Sequence, residues 1–80
     1  YNRIAISLRK MGKFDVAERY YMKALDYIKD NPHLYFNIGR LYIDWGKWDK
    51  VVEWAQRAVD KDPDFSEAKK MLNFAMKKLK

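Results

Sequence analysis

The side chains that could carry out catalysis or bind a metal ion are few and isolated in this sequence. His33 is the only histidine and cysteine is absent, so a site with several imidazole or thiolate ligands cannot be built. His33 follows Pro32 at the expected start of a helix, and no partner base stands at a fixed spacing from it. We therefore expect a solvent-exposed histidine, no catalytic residues, no metal ion and no cofactor.

The carboxylates are spaced regularly along the chain and do not cluster. Asp15 and Asp49 are 34 residues apart, and the same interval separates Asp26 from Asp60. The three glycines stand alone, so the sequence has no glycine-rich loop that could bind phosphate. A fixed interval between acidic residues is typical of a structural repeat, and we predict that the chain is not an enzyme.

Gly and Pro divide the 80 residues into five segments with helical periodicity. Gly12, Pro32, Gly46 and Pro63 separate stretches in which apolar residues recur three or four positions apart. The length allows one domain, and no apolar run reaches the 18 or so residues of a membrane span. The pattern predicts five helices and no strand.

Several helix ends can be predicted from single residues. Asn31 can accept a hydrogen bond from a free amide of the third helix, and Pro32 suits the first turn because it needs no donor there. Gly12 and Gly46 lie where a helix must end in a left-handed residue. The segment 64–67, with the sequence Asp-Phe-Ser-Glu, is expected to form a capping box for the fifth helix.

Comparison of the chain with itself indicates an internal repeat. Residues 1–31 and 35–65 share eight identical positions of 31, where average composition would give roughly two. At the same interval, Leu72 and Met76 align with Ile38 and Tyr42. The fifth helix is therefore expected to be the first half of a third unit.

The repeat resembles the tetratricopeptide repeat, a helix-turn-helix unit of 34 residues. The residues that match its pattern in the second unit are Tyr35, Ile38, Gly39, Tyr42, Gly46, Trp48, Ala58 and Pro63, and those in the first are Tyr1, Ile4, Ala5, Leu8, Gly12, Phe14, Ala17, Tyr21 and Ala24. The sequence departs from the pattern at Val51, Ala55 and Lys29. Gly39 and Ala5 are expected to let the two helices of a unit approach closely.

The resemblance implies an all-α fold, a right-handed α-solenoid of five helices. Its units would be a first repeat at 1–31 that lacks its N-terminal residues, a second at 32–65, and a capping helix or third-repeat helix at 66–80. Such repeats bind partners on a concave face lined by the first helix of each unit. The residues that the resemblance places on this face are Arg3, Ile6, Phe36, Asn37, Arg40, Ile43, Lys70, Met71 and Phe74, with Lys10, Asp44 and Lys77 beside them.

The charge distribution indicates what such a face could bind. The net charge of the chain is +6, and residues 1–13 and 66–80 each carry +4 while residues 14–65 carry −2. Basic and apolar side chains alternate on the expected concave face, which favours a protein or peptide partner with acidic and hydrophobic groups. We expect Phe36 and Phe74 to anchor it and Arg3, Arg40 and Lys70 to orient it.

Two other functions fit parts of the sequence. A solenoid of about 2.4 units is shorter than the three usually needed for stability, so the chain could belong to a longer protein or associate with a second copy through its open ends. The isoelectric point of about 9.6 is compatible with binding to nucleic acid or an anionic membrane, although the acidic middle disfavours it. The absence of cysteine favours a reducing compartment, and we expect the cytoplasm.

Overall fold

The chain folds into five α-helices, in agreement with the helical periodicity of the sequence. The structure is a computed structural model that describes residues 2–79, and of Asn2 only the backbone; Tyr1 and Lys80 lie outside the described residues. The helices are α1 (Asn2–Lys10), α2 (Phe14–Tyr27), α3 (Pro32–Trp45), α4 (Trp48–Lys61) and α5 (Ser66–Leu79). No strand occurs within residues 2–79, so the predicted all-α fold is confirmed.

The start of α3 has the predicted cap. The Asn31 side chain accepts a hydrogen bond from the His33 amide at 2.9 Å, and Pro32 occupies the first turn. This arrangement satisfies a free amide and places proline where no donor is required. A local sequence signal therefore fixes where the central helix begins.

Two glycines end helices in the left-handed conformation, as predicted. Gly12 has φ +80° and Gly46 has φ +79°, a region that side chains with a Cβ rarely occupy. Asp30 is the one other described residue with positive φ, at 57°, and it lies in the α2–α3 turn where the family pattern would place proline one residue earlier. Its carboxylate forms an ion pair with Lys61, with 3.1 Å between Oδ1 and Nζ, and this contact joins the turn to the end of α4.

The start of α5 differs from the prediction. The Asp64 side chain forms no capping hydrogen bond within residues 2–79; instead the Asp62 carboxylate accepts from the Asp64 amide at 3.1 Å, and the Ser66 hydroxyl donates to Glu67. The capping box at 64–67 was therefore the wrong pattern. The turn before α5 is closed by the Phe65 amide, which donates to the Asp62 carbonyl. Phe65 then packs in the core.

The helices form two layers. Each helix packs against the next one along the chain, and α1 also contacts α3. Met71 of α5 contacts Gly39 of α3. Helices α1, α3 and α5 therefore follow one another on one side, with α2 and α4 behind them. A shortest extent of 15 Å between Cα atoms is compatible with two layers of helices whose axes lie about 8–10 Å apart.

The core runs between these layers and is built largely of small and aliphatic side chains. Its largest fully buried members are Tyr21, Leu34, Ile38, Leu41 and Val51. Seven alanines are buried with them and permit close contact between helices: Ala5, Ala17, Ala24, Ala55, Ala58, Ala68 and Ala75. Phe65, Ala58 and Ala68 form a second, smaller cluster where α5 meets α4.

Candidate functional site

The outer side of α1, α3 and α5 carries the side chains predicted to bind a partner, and we call it the front surface. Arg3, Arg40, Lys70 and Phe74 are exposed, Ile6, Phe36, Asn37 and Ile43 are half-buried, and Met71 is buried. Arg3 and Lys70 form no ion pair within residues 2–79. The front surface thus offers free positive charge beside partly accessible apolar side chains.

Phe36 and Arg40 form one unit on α3. The Phe36 ring packs against Phe65 with centroids 5.1 Å apart, and the guanidinium carbon of Arg40 lies 6.0 Å from the Phe36 centroid. The residues are four apart, so they share a face of the helix. The aromatic ring holds the cation near the surface, and Arg40 has no ion-pair partner among the described residues.

Met71 does not stand on the front surface as an accessible anchor. Its side chain is only 6% exposed, and its sulfur lies 2.6 Å from the point where a Cβ on Gly39 would be. Gly39 was expected to bring α3 close to α4 of its own unit, but the space that it leaves is filled by Met71 from α5. We use the name apolar seam for two contacts, that of Met71 with Gly39 and that of Phe36 with Phe65. Met71 therefore lies beneath the front surface.

Phe74 is exposed, but it is not an isolated ring. It retains 48% of its accessible surface, packs edge-on against Trp48 at 5.4 Å, and has Lys78 Nζ 5.3 Å from its centroid. Trp48 begins α4, so Phe74 faces the edge of the front surface toward α4. The two predicted anchors, Phe36 and Phe74, therefore belong to separate aromatic groups.

The front surface also contains an ion pair of which the sequence analysis selected Asp44 but not its partner, Arg9. Arg9 of α1 donates from Nη1 to Asp44 Oδ2 of α3 at 2.5 Å, and the Arg9 side chain is 11% exposed while that of Asp44 is 40% exposed. Arg9 aligns with Ile43 at the interval of 34, so the repeat itself could have placed it on this face. We call Arg9, Asp44 and the adjoining Tyr21 the polar seam.

Tyr21 supplies a buried hydroxyl to the polar seam. The residue is fully buried, and burial raises the pKa of Tyr21 while the nearby positive charge of Arg9 opposes the shift. The Arg9 side chain also lies close enough to the Tyr21 hydroxyl for a hydrogen bond that opposes the shift, although neither that hydroxyl nor Arg9 Nε makes a hydrogen bond of good geometry within residues 2–79. Tyr21 and Arg9 are therefore neighbouring polar groups in a buried contact between α1 and α2.

Tyr42, by contrast, has a complete hydrogen bond. Its hydroxyl donates to Glu18 Oε2 at 2.7 Å, which joins α3 to α2 behind the front surface. Burial raises the pKa of Tyr42, and the hydrogen bond to Glu18 adds to the rise because it holds the proton. This contact fixes the two helices without offering an open site.

Trp45, whose sequence position gave no clear placement, lies where α3 ends against α2. Its ring stacks on Phe14 at 5.8 Å and on Tyr42 at 6.1 Å, and Lys47 Nζ lies 4.0 Å from its centroid. The indole therefore has three neighbours within the protein. Trp45 has a packing role at the junction of the first two helix pairs.

The groups that could do other chemistry remain apart. The His33 ring is exposed and packs against Phe65 at 4.8 Å between centroids, and no set of three potential metal ligands occurs among residues 2–79. None of the helices within this range is both long and apolar enough to cross a membrane.

Comparison with known proteins agrees with the repeat pattern. A family model described as "Tetratricopeptide repeat" matches residues 1–64. The mitochondrial import receptor subunit TOM70 of Saccharomyces cerevisiae is 33% identical over 72 residues, which covers 81% of this chain and 12% of TOM70. The regulatory protein RapK of Bacillus subtilis is 33% identical over 61 residues, which covers 69% of this chain and 16% of RapK. The chain spans less than a fifth of either relative.

Proposed function

Because this chain belongs to the tetratricopeptide repeat family, we propose that it is a protein-interaction module that binds a peptide segment on its front surface. Two relatives are an import receptor subunit and a regulatory protein, and receptor and regulatory roles favour a module that binds partners. The match covers only a small part of each of them, so their own partners are not transferred to this chain. We propose that the module acts without catalysis.

The observation that carries this proposal is the free cation beside a half-buried ring on α3. Arg40 is exposed and unpaired among residues 2–79, and Phe36 beneath it is already packed against Phe65. A partner can therefore gain an ion pair and an apolar contact at a preformed place, without first ordering the side chains that it meets. The proposed ligand is a segment that combines carboxylate and apolar side chains.

The proposed surface follows the family geometry, with units at 1–31, 32–65 and 66–80. It comprises Arg3, Ile6, Phe36, Asn37, Arg40, Ile43, Lys70 and Phe74, with Met71 below them. Arg40 and Phe36 lie at its centre, and Phe74 lies at its edge toward α4. We expect the central pair to contribute most to affinity, because buried aromatic and arginine side chains near the middle of an interface usually do.

A charge reversal on the front surface tests this proposal. The ligand is a short blocked peptide in which glutamate and phenylalanine alternate, here called the acidic peptide, and its control has glutamine in place of glutamate, here called the neutral peptide. We expect Arg40→Glu to weaken binding of the acidic peptide about tenfold or more by calorimetry. Arg19→Glu is the matched control, because Arg19 is exposed on α2 and lies behind the front surface. Equal affinity of both variants would contradict the proposal.

A second candidate function is association with another copy through the end of the helix stack. Met76 and Leu79 on α5 are 50% and 53% exposed, and no helix of residues 2–79 covers them. Sedimentation equilibrium distinguishes this case, because self-association would raise the average mass with concentration and Met76→Lys would abolish the rise. A constant monomer mass would exclude it.

The compartment and the anionic-ligand alternative can be tested separately. We propose the cytoplasm because cysteine is absent, and fractionation of cells that express the protein would test this location.

If the chain bound nucleic acid, the logarithm of its affinity would fall steeply and linearly with the logarithm of the salt concentration. We expect no such binding in a titration at low salt.

A further inference from the structure

Helix α5 carries positive charge that the rest of the chain does not neutralise. Its charged residues are four lysines and one glutamate, all of them exposed: Lys69, Lys70, Lys77, Lys78 and Glu67. The ammonium group of Lys78 lies near the rings of Trp48 and Phe74, and none of the four lysines forms an ion pair within residues 2–79. The helix therefore presents a net charge of +3 to its surroundings.

Helix α4, which packs against α5, has the opposite arrangement. It contains three basic and three acidic residues. Lys50 and Arg57 both pair with Glu53, at 4.0 Å and 3.4 Å. Lys61 pairs with Asp30 of the α2–α3 turn at 3.1 Å. Every cation of α4 thus has an anionic partner in this chain, whereas the lysines of α5 are available to an anionic partner from outside.

Apolar side chains lie beside these lysines on α5. Met76 and Leu79 are both about half exposed, and Leu72 is half-buried. Residues that are three, four or seven positions apart share a face of a helix, so Leu72, Met76 and Leu79 form one strip. Lys69 lies on the same face, seven residues before Met76, and Lys77 adjoins Met76. We call these five residues the outer strip of α5.

We propose that the outer strip of α5 docks the protein on an anionic lipid bilayer. Helices that lie in the plane of a membrane interface combine apolar side chains with lysines, and the apolar side chains enter the boundary between headgroups and acyl chains. Lysines close to an anionic leaflet add an electrostatic attraction to this burial. On α5, Met76 and Leu79 enter the boundary, while Lys69 and Lys77 contact the anionic headgroups. This function goes beyond peptide binding and does not depend on it.

A second copy of the chain fits the outer strip less well than a bilayer does. Pairing α5 with α5 would bring two helices of charge +3 together, and this repulsion opposes association. A stable protein interface buries roughly 800 Å² on each partner, and three apolar side chains that are at most about half exposed supply a small fraction of that area. Charge complementarity therefore favours an anionic surface as the occupant of the strip.

The first experiment measures binding to sedimented lipid vesicles. Vesicles of phosphatidylcholine that contain phosphatidylserine are compared with vesicles of phosphatidylcholine alone, and we expect the protein to bind only the anionic ones. The double variant Lys69→Gln/Lys77→Gln should lose about tenfold or more in affinity, because two attractive charges are removed. Lys50→Gln/Lys61→Gln is the matched control, since it removes the same charge from α4, where both lysines are already paired. Equal losses in the two variants would reflect net charge alone and would overturn the proposal.

A fluorescent label reports directly on entry into the bilayer. The chain has no cysteine, so Met76→Cys places a single environment-sensitive fluorophore on the outer strip. Arg19→Cys is the control, because Arg19 is exposed on α2. We expect the emission of the label at position 76 to shift to shorter wavelength on anionic vesicles, and the label at position 19 to show no shift. Equal emission changes at the two positions, or no change at either, would overturn the proposal.

The other occupants of the strip are outcomes of a third measurement, on Met76→Ser/Leu79→Ser. We expect this variant to lose binding to anionic vesicles as the lysine variant does. Unchanged vesicle binding that duplex DNA abolishes would identify a site for polyanions and would overturn docking on a bilayer. Self-association without lipid that the variant abolishes, seen by sedimentation equilibrium in the absence of vesicle binding, would assign the strip to a second copy and would also overturn it. Each of these results leaves the test of peptide binding at Arg40 unchanged, so the two proposals fail separately.

Discussion

The polar seam and the apolar seam join the same kinds of helices with opposite chemistry. Between α1 and α3, Arg9 meets Asp44 across the front surface and leaves polar groups unsatisfied. Between α3 and the segment that leads into α5, Met71 fills the space above Gly39 and Phe36 packs on Phe65, and no ion pair joins α3 to α5 among the described residues. The repeat therefore fixes how the helices are stacked, while the residues in each junction decide whether the contact is polar or apolar.

This difference assigns separate roles to the two junctions. Burial of Met71 and Phe65 removes apolar surface from water, which is the main source of stability in a small fold. The Arg9–Asp44 pair gains less, because the cost of desolvating two charges offsets much of their attraction. We therefore expect the apolar seam to contribute more to stability than the polar seam does.

The largest expected effect is a break in the apolar seam. Phe65→Ala should lower the free energy of unfolding by about 3–5 kcal/mol, because it leaves a cavity beside Phe36. Phe74→Ala is the control, because Phe74 of α5 is half exposed and its removal should lower the free energy of unfolding far less. Urea unfolding followed by circular dichroism measures both, and equal losses would contradict the assignment of stability to this seam.

A smaller effect is expected when the polar seam loses its carboxylate. Asp44→Asn should lower the free energy of unfolding by about 2 kcal/mol, because the buried Arg9 guanidinium loses its charged partner. Asp64→Asn should show no such loss, because the Asp64 side chain forms no hydrogen bond or ion pair within residues 2–79. The same urea measurement tests the pair, and a Phe65→Ala loss smaller than that of Asp44→Asn would reverse the roles proposed for the two seams.

The smallest expected effect concerns the hydrogen bond behind the front surface. Tyr42→Phe should cost about 1 kcal/mol near neutral pH, since it removes the bond from the Tyr42 hydroxyl to Glu18. The raised pKa of Tyr42 means that the folded state keeps the phenol protonated when the unfolded state has begun to ionise. The corresponding stability is complete below the ordinary tyrosine pKa of 10.0 and is lost as the pH rises above it.

Unfolding of both proteins near pH 8 and near pH 11 measures this effect. Above the ordinary tyrosine pKa the unchanged protein should lose up to about 1.4 kcal/mol per pH unit through this group, whereas Tyr42→Phe lacks that contribution. The stability difference between the two proteins should therefore shrink at the higher pH. A difference that stays constant would show that Tyr42 is not held protonated by the fold.

The parts of the fold that could be predicted from the sequence are those with local causes. Asn31, Gly12 and Gly46 determine helix ends through their own backbone and side-chain geometry, and each was placed correctly. The capping box at 64–67 was predicted wrongly because Asp62 was not considered as the residue that closes this turn. Its side chain and carbonyl accept from the Asp64 and Phe65 amides.

The candidate site was harder to predict because its contacts join distant residues. The partner of Arg9 lies 35 positions away, so its burial has no local signal, although the repeat interval aligned it with Ile43. Met71 was expected on the surface because the family pattern indicates which way a side chain points. The pattern does not indicate whether a neighbouring helix leaves room for that side chain to be buried. That room depends on Gly39, a residue in another helix.

The most direct test of the central claim maps the acidic peptide onto the protein by amide chemical shifts. Peptide binding to the front surface should move the resonances of Phe36, Asn37 and Arg40 and of the polar seam, and should leave Arg19 on α2 and Arg57 on α4 unchanged. Shifts that concentrate on α2 and α4, with the α3 signals unmoved, would contradict a binding site on the front surface.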